Sequence, residues 1–217
     1  MHKMILGVFP PPTAANYALR ITNDFNIGRM NPMKDLSLHL LDIAQNSIRA
    51  EANVVEIGFE LKEDGMLIMT VKDDGSGMDA ELLERVKSPF TTTRTTRKIG
   101  LGIPMLMQNA MASGGGVEIE SEPGKGTLLT ATFDTSSIDC LPVGDLPATL
   151  VTLITANPFC PEFHLRCSSP EGEMTFTTEE VRAALGPEVP LNEPDIAMWM
   201  EGAISEELTP ILGRIMK

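Results

Sequence analysis

The chain has 217 residues, 42% of them hydrophobic and 22% charged, a composition that excludes a disordered or fibrous protein and predicts a hydrophobic core. This length accommodates one full domain and a smaller second unit, because single cores commonly close at about 100–150 residues. Thirty acidic against seventeen basic residues give a formal charge of −13, which disfavours nucleic acid and anionic membranes as direct partners.

The cysteines and the proline-rich start bear on the compartment and on where the fold begins. Cys140, Cys160 and Cys167 are too few and too late to staple the chain, so we expect a cytoplasmic protein. No segment has the length and purity of a membrane span. Residues 1–32 are expected to be a loose leader, and Met33, directly before the first periodic segment, is a candidate for the true start.

Hydrophobic periodicity predicts the first elements. Apolar residues at helical spacing predict a helix over 35–49. Alternation of apolar and polar residues predicts a strand over 55–62, and a second strand over 66–72 follows a hairpin turn. The second strand leads into the glycine-rich loop 73–77, and loops at strand ends are common ligand sites.

The remaining elements fall into two groups. Up to Asp134 the pattern predicts a helix over 79–86, a long loop over 88–98, a helix over 103–113, and strands over 117–121 and 128–133. Beyond Asp134 it predicts a helix over 145–156, strands over 163–168 and 174–177, a helix over 178–185, and an amphipathic helix over about 193–215. We therefore expect a domain over 33–134 and a small α/β appendage over 135–217.

Two polar residues of the first helix suit chemistry on a phosphate chain. Asp42 and Asn46 are four apart, so their side chains project from one face. An Asn amide oxygen can ligate Mg2+, and a carboxylate one turn away can accept a proton from a group attacking a γ-phosphate. Taken alone, the spacing also fits two solvated helix residues.

Two glycine-containing loops suit a nucleotide. Asp73 can accept a hydrogen bond from an adenine amine, while Gly75 and Gly77 allow the base to approach the backbone. An acidic turn is the alternative. Gly100 and Gly102 precede a helix, where free backbone N–H groups make an anion site.

The loop between these two sites carries positive charge in an acidic chain. Arg94, Arg97 and Lys98 have no acidic residue among them, which favours phosphate. We expect residues 88–99 to form a lid that is mobile without nucleotide and orders on ATP.

Five segments, in order, resemble the motif boxes of one family. They are residues 42–47, 73–78, 88–92, 100–102 and 124–127, which resemble the N box, the Asp-x-Gly-x-Gly box, the lid motif and the two later glycine boxes of the GHKL superfamily. That superfamily comprises gyrases, large heat-shock chaperones, histidine kinases and mismatch-repair ATPases, and the resemblance covers residues 35–133. It implies a Bergerat-type two-layer α/β sandwich, with a mixed sheet covered on one face by helices and an ATP lid.

The resemblance also implies ATP and Mg2+ as cofactors, and the residues that bind them. Asn46 would ligate Mg2+, and Asp73 would contact adenine with support from Thr127. Lys98 departs from the histidine-kinase phosphate loop and would replace a backbone contact with a charge. The implied ATP-binding residues are Asn46, Asp73, Gly75, Gly77, Met78, Lys98, Gly100, Leu101, Gly102, Ile103 and Thr127.

Asp42 separates branches of the superfamily. Histidine kinases generally have Asn at this position, whereas hydrolysing ATPases and serine kinases have Glu, so Asp42 keeps the option of base catalysis. Only His2, His39 and His164 could accept a phosphoryl group, and no helical hairpin with such a histidine is predicted before residue 33. A self-phosphorylating sensor kinase is therefore disfavoured, and the chain resembles stand-alone ATP-binding proteins of anaerobic bacteria.

Three functions stay open: transfer of phosphate to a partner protein, ATP hydrolysis, and a nucleotide-gated interaction module. A protein partner is expected but not identified, and a homo-oligomer is left open. Residues 135–217 are expected to bind a partner or a second copy, with packing on the ATP domain as the alternative. Cys160, His164 and Cys167 are not expected to bind a metal, because a closed zinc site needs four ligands.

Overall fold

A computed structural model describes residues 33–87, 102–186 and 189–216. The elements in these ranges are α1 (Leu36–Arg49), β1 (Val54–Leu61), β2 (Met66–Asp73), α2 (Ala80–Lys87), α3 (Gly102–Ala112), β3 (Gly116–Glu122), β4 (Gly126–Asp134), α4 (Leu146–Ala156), β5 (Glu162–Ser169), β6 (Gly172–Thr177), α5 (Thr178–Leu185) and α6 (Pro194–Leu212). Every helix and strand expected from periodicity is confirmed, with bounds shifted by a few residues at most. The expected lid lies outside the described residues.

All six strands belong to one mixed sheet with the order β3-β4-β2-β1-β5-β6. Neighbouring strands are antiparallel except β1 and β5, which run parallel with Ile57 beside Leu165. The expected α/β fold with a mixed sheet is therefore confirmed. The parallel pair joins the two groups of elements that the sequence pattern separates at Asp134.

Strand alternation directs one face of the sheet toward the core. In β1 the odd-numbered positions 55–61 are buried, whereas Glu56 and Glu60 on the other face are exposed. The helices bury their apolar stripes in the same core, as Leu40 of α1 and Leu106 of α3 illustrate, both 0% exposed. The buried face of the sheet, which repeats every two residues along a strand, thus packs against the apolar stripes of the helices, which repeat every 3.6 residues.

The start of α1 is held by the C-terminal part of the chain. Asp35 is the N-cap of α1. The amide of Leu36 donates to the carbonyl of Pro142 at 3.0 Å, and the amide of Ser37 donates to Val143 at 2.9 Å. Because the first amides of a helix have no intrahelical partner, these bonds fix the position of α1 against residues 142–143.

Residues 135–216 share the sheet and the core with the preceding residues. From Met33 onward the chain is one compact unit. In the C-terminal part, Arg182 Nε lies 2.9 Å from Glu162 Oε1, and the two side chains are 15% and 24% exposed. The assignment of residues 135–217 as a domain of their own stays a prediction. None of the helices within the described ranges is long and apolar enough to cross a membrane.

Shortening a buried leucine of α6 tests whether this helix is part of the core. Leu208 is 0% exposed. We expect Leu208→Ala to lower the free energy of unfolding by about 2–5 kcal/mol, because it removes buried methyl groups and leaves a cavity. Denaturant unfolding measures the change. Glu207→Ala, at the exposed neighbouring position, is the control and should change stability by no more than about 0.5 kcal/mol. Equal effects of the two substitutions would contradict the packing of α6.

Candidate functional site

The carboxylate of Asp73 is buried at the end of β2, and each of its oxygens accepts a hydrogen bond from the chain. It is 8% exposed. Its Oδ2 accepts a hydrogen bond from Ser47 Oγ at 2.6 Å, and its Oδ1 accepts one from the amide of Gly75 at 3.0 Å. A buried carboxylate is costly unless it is hydrogen-bonded, so these two bonds hold α1, β2 and the following loop together.

Both glycines of this loop are required by close backbone approaches. A Cβ added to Gly75 would lie 2.8 Å from the carbonyl oxygen of Ala50, which already accepts the amide of Ser76 at 2.8 Å. Gly77 has a φ of +64°, and a Cβ there would lie 2.0 Å from the carbonyl oxygen of Glu122. The loop is thus pressed between the end of α1 and the turn that joins β3 to β4.

Thr127 lies opposite Asp73 in the register of β2 and β4. Its hydroxyl is 3.0 Å from Ser121 Oγ, and Ser121 in turn donates to the carbonyl of Gly126 at 2.9 Å and accepts the amide of Met78 at 2.9 Å. The side chain expected to support Asp73 therefore contacts Ser121 instead of the carboxylate. Its role toward adenine stays a prediction.

Asn46 is half-buried on α1, and its amide oxygen faces a cation. Oδ1 accepts a hydrogen bond from Arg49 Nη1 at 3.0 Å, while Arg49 Nη2 lies 3.4 Å from Gln45 Oε1. The sequence interpretation did not include Arg49, although a basic residue one turn after Asn46 was a signal for it. The oxygen expected to bind Mg2+ is the one that this guanidinium contacts.

Asp42 lies against the first residue of α3. A Cβ added to Gly102 would lie 1.7 Å from Asp42 Oδ2, so any side chain at this position would displace the Asp42 carboxylate. That oxygen is buried and has no hydrogen-bond partner within the described residues. An unsatisfied buried carboxylate oxygen is rare in native proteins and often marks a place for a ligand, water or ion.

His39 is a fully buried polar residue one turn before Asp42. It is 0% exposed, and its Nε2 lies 2.8 Å from Asn109 Nδ2 on α3. Burial lowers the pKa of His39 to about 4, against the opposing influence of the Asp35 carboxylate and the Gly102 backbone. Sequence reasoning considered His39 only as a phosphoryl acceptor. Its position in the apolar stripe of α1 was the available signal for a buried role.

Some of the other expected site residues lie within the described ranges and some lie outside them. Met78 and Ile103 are half-buried and pack against the core. Lys98, Gly100 and Leu101 lie outside the described residues. The structure thus brings together Asp42 with Gly102, and Asp73 with Gly75, while Ser47 was not expected. A serine among the apolar positions of α1 was the signal for its buried bond.

The residues considered for a metal lie on opposite faces of β5. His164 is on the outer face, where its Nε2 lies 2.7 Å from Glu179 Oε2. Cys167 is on the core face, and burial raises the pKa of its thiol to about 12. Cys160 is exposed. Within the ranges that the structure covers, no group of three or more His, Cys, Asp or Glu residues is arranged to hold a metal ion.

Adding a methyl group to Gly77 tests the loop geometry. We expect Gly77→Ala to lower the free energy of unfolding by more than about 1 kcal/mol, because its positive φ is unfavourable for alanine and its Cβ would meet Glu122. Thermal or denaturant unfolding measures it. Gly116→Ala is the control, since nothing lies within 4 Å of a Cβ there. Similar stability of the two variants would show that the loop is not held as described.

The buried imidazole of His39 predicts a pH dependence of stability. With a pKa of about 4 when folded and 6.5 when unfolded, the ring binds more protons in the unfolded chain below pH 6.5. Its stabilising contribution is therefore present above pH 6.5 and is lost as the pH falls toward 4, by up to about 3 kcal/mol. Denaturant unfolding across this range measures it. His39→Gln should flatten this part of the profile, and an unchanged slope in this variant would contradict the burial of the His39 ring.

Comparison with known proteins finds similarity to one family of ATPases in the first part of the chain. Residues 33–137 match the family model for histidine kinase-, DNA gyrase B- and HSP90-like ATPases. Sensor histidine kinase ZraS from Salmonella typhimurium is 32% identical over 115 residues, which are 52% of this chain and 24% of that protein. Sporulation kinase C from Bacillus subtilis is 33% identical over 103 residues, 46% of this chain and 23% of the kinase.

Among solved structures, the histidine kinase domain of a blue-light activated kinase from Erythrobacter litoralis aligns with a TM-score of 0.35 and 20% identity, covering 48% of this chain and 45% of that domain. The chain spans about a quarter of the length of the two curated kinases, at 24% and 23%. Residues 33–137, just under half of the chain, are therefore similar to the ATPase domain of histidine kinases, DNA gyrase B and HSP90.

Proposed function

We propose that residues 33–137 bind ATP together with Mg2+ and either hydrolyse the ATP or transfer its γ-phosphoryl group to a partner protein. The observation that carries this proposal is the carboxylate of Asp42. One of its oxygens is buried without a hydrogen-bond partner in the described part of the chain, directly against Gly102 at the start of α3. A carboxylate that can act as a general base is thus placed beside a helix N-terminus, where phosphate can bind.

The residues present fit both ends of the nucleotide. Each oxygen of Asp73 accepts one hydrogen bond from the chain and keeps a further lone pair that an adenine amine can use. At the other end, the N-terminus of α3 supplies backbone N–H groups, and Arg49 adds a positive charge beside Asn46. The donors suit a base at one end and phosphates at the other.

Asn46 offers the oxygen that a Mg2+ ion would require. Mg2+ prefers oxygen ligands. Within the described residues, the hydrogen bond that the Asn46 amide oxygen accepts comes from Arg49. When bound, Mg2+ would supply positive charge that offsets the negative charge developing on the phosphate groups during phosphoryl transfer. Arg49 would have to release or share the amide oxygen for this ligand to form.

The chain's own residues would then carry the proton transfer. Asp42 would accept the proton of a water molecule for hydrolysis, or of a hydroxyl group of a partner for phosphoryl transfer. The backbone N–H groups at the start of α3 would hold the phosphate oxygens, and the contact of Asp42 with Gly102 would keep the base beside them.

A nucleotide-gated interaction module without significant turnover is the second candidate. It is favoured by the hydrogen bonds from Leu36 and Ser37 at the start of α1 to Pro142 and Val143. A nucleotide that shifts α1 would act directly on the C-terminal segment through them. A partner or a second copy could then contact α6, where Met198 and Trp199 are 41% and 56% exposed.

Replacing Asn46 tests the Mg2+ ligand. We expect Asn46→Ala to weaken binding of ATP in the presence of Mg2+ and to change binding in its absence much less, because the substitution removes the metal ligand, whereas the Arg49 hydrogen bond that is also lost does not depend on Mg2+. Titration of a non-hydrolysable ATP analogue with and without Mg2+ measures this difference. Gln108→Ala, an exposed amide on α3, is the control. An unchanged effect of Mg2+ in Asn46→Ala would rule out this ligand.

Replacing Asp42 separates catalysis from binding. We expect Asp42→Asn to keep nucleotide affinity and to lower turnover by about a hundredfold or more, because the shape stays while the base is lost. Phosphate release and labelling of protein from γ-labelled ATP measure the two routes. Asp139→Asn, at an exposed position, is the control. Normal turnover of Asp42→Asn would refute base catalysis, and nucleotide binding without turnover in the wild type would favour the interaction module.

A further inference from the structure

A buried polar pair connects α1 to α3 beside the proposed phosphate site. His39 on α1 is 0% exposed, and its Nε2 lies 2.8 Å from Nδ2 of the half-buried Asn109 on α3. Burying an imidazole costs free energy, whereas two apolar side chains of similar size could pack at this place without that cost. The pair therefore calls for a reason other than filling the core.

The proton positions of this pair follow from the donor. The amide nitrogen of Asn109 can only donate a hydrogen bond, so Nε2 of His39 is the acceptor. In the neutral ring the proton is then on Nδ1. Nδ1 makes no hydrogen bond of good geometry within the described residues, and the Gly102 backbone is the hydrogen-bonding group that favours the protonated ring.

Nδ1 of His39 and Oδ2 of Asp42 are both buried without a geometrically formed hydrogen bond in the described part of the chain. His39 and Asp42 are three positions apart on α1, so they are neighbours on one face of the helix. Nδ1–H is a donor, and Oδ2 is an acceptor. The Gly102 backbone raises the pKa of His39 through a hydrogen bond, and Gly102 also lies against the Asp42 side chain. Both side chains therefore face the first residue of α3.

We propose that His39, held by Asn109, is a positioning residue that sets the distance between α1 and α3 and thereby holds the Asp42 carboxylate against Gly102. The inference rests on the proposed function, because it assigns His39 a role in the same site. His39 acts through Asp42 and Gly102 and does not contact the nucleotide. Its hydrogen bond with Asn109 fixes the ring between α1 and α3.

A pair of apolar substitutions separates positioning from simple packing. His39→Leu or Asn109→Leu alone leaves a polar partner unsatisfied and destabilises the fold, whereas the double variant removes both partners and should have nearly the wild-type free energy of unfolding. If the pair positions the base, the double variant still loses turnover by about tenfold to a hundredfold with little change in KM. In the Asp42→Asn background the double substitution should lower turnover no further.

Nucleotide affinity supplies a readout that does not depend on turnover. The ratio of affinities for a non-hydrolysable ATP analogue and for ADP reports the γ-phosphate site at the start of α3. We expect this ratio to fall about fivefold or more in the double variant. His39→Gln places an acceptor near the position of Nε2 and should keep most of the wild-type ratio. Asn109→Ala serves as a milder second variant, and it should lower the ratio in the same direction.

Each outcome decides the proposal. Wild-type turnover and a wild-type affinity ratio in a stable double variant, or a wild-type ratio in Asn109→Ala, would overturn the positioning role. If the wild type binds both nucleotides without turnover, the proposed catalytic function fails, and the affinity ratio alone decides on His39. If the wild type binds neither nucleotide, both proposals are overturned.

Discussion

The hydrogen bond from Ser47 to Asp73 is the interaction on which the arrangement of the site depends. It is buried, 2.6 Å long, and joins the helix that carries Asp42 and Asn46 to the end of the central strand β2. Since a buried carboxylate without partners is strongly unfavourable, α1 cannot rotate or slide without breaking this bond at a cost of about 1–3 kcal/mol or more. One interaction therefore fixes the end of β2 relative to the helix that carries Asp42 and Asn46.

The C-terminal segment completes the support of α1 from the other side. Pro142 and Val143 accept the first free amides of the helix, and the amide of Val143 itself donates to the carbonyl of Ile215 at 2.9 Å. Backbone hydrogen bonds thus connect Ile215, just after α6, through residues 142–143 to the start of α1. This continuity gives the segment a structural role beyond any binding of partners, and both roles can coexist because α6 buries one face and exposes the other.

The sequence predicted every described element and the order of the motif boxes, because helical and strand periods are local properties of the chain. It did not predict that Val54–Leu61 and Glu162–Ser169 pair in parallel, since pairing between segments so far apart leaves no local signal. Ser47 and the pair of His39 with Asn109 were missed for a related reason. A polar residue in an apolar stripe shows that something is buried, but its partner comes from another element and can be identified only in three dimensions.

The parallel pairing of β1 with β5 has a consequence for how the protein can fold. When residues 33–137 have been synthesised, β1 is an edge strand, with Val55, Ile57 and Phe59 on its core face and free N–H and C=O groups along its side. Such an edge can pair with another chain, and contacts of large sequence separation form slowly. The nascent chain can therefore aggregate through β1 until β5 has been synthesised and pairs with it. A chain shortened to the family-matching region would keep that edge permanently.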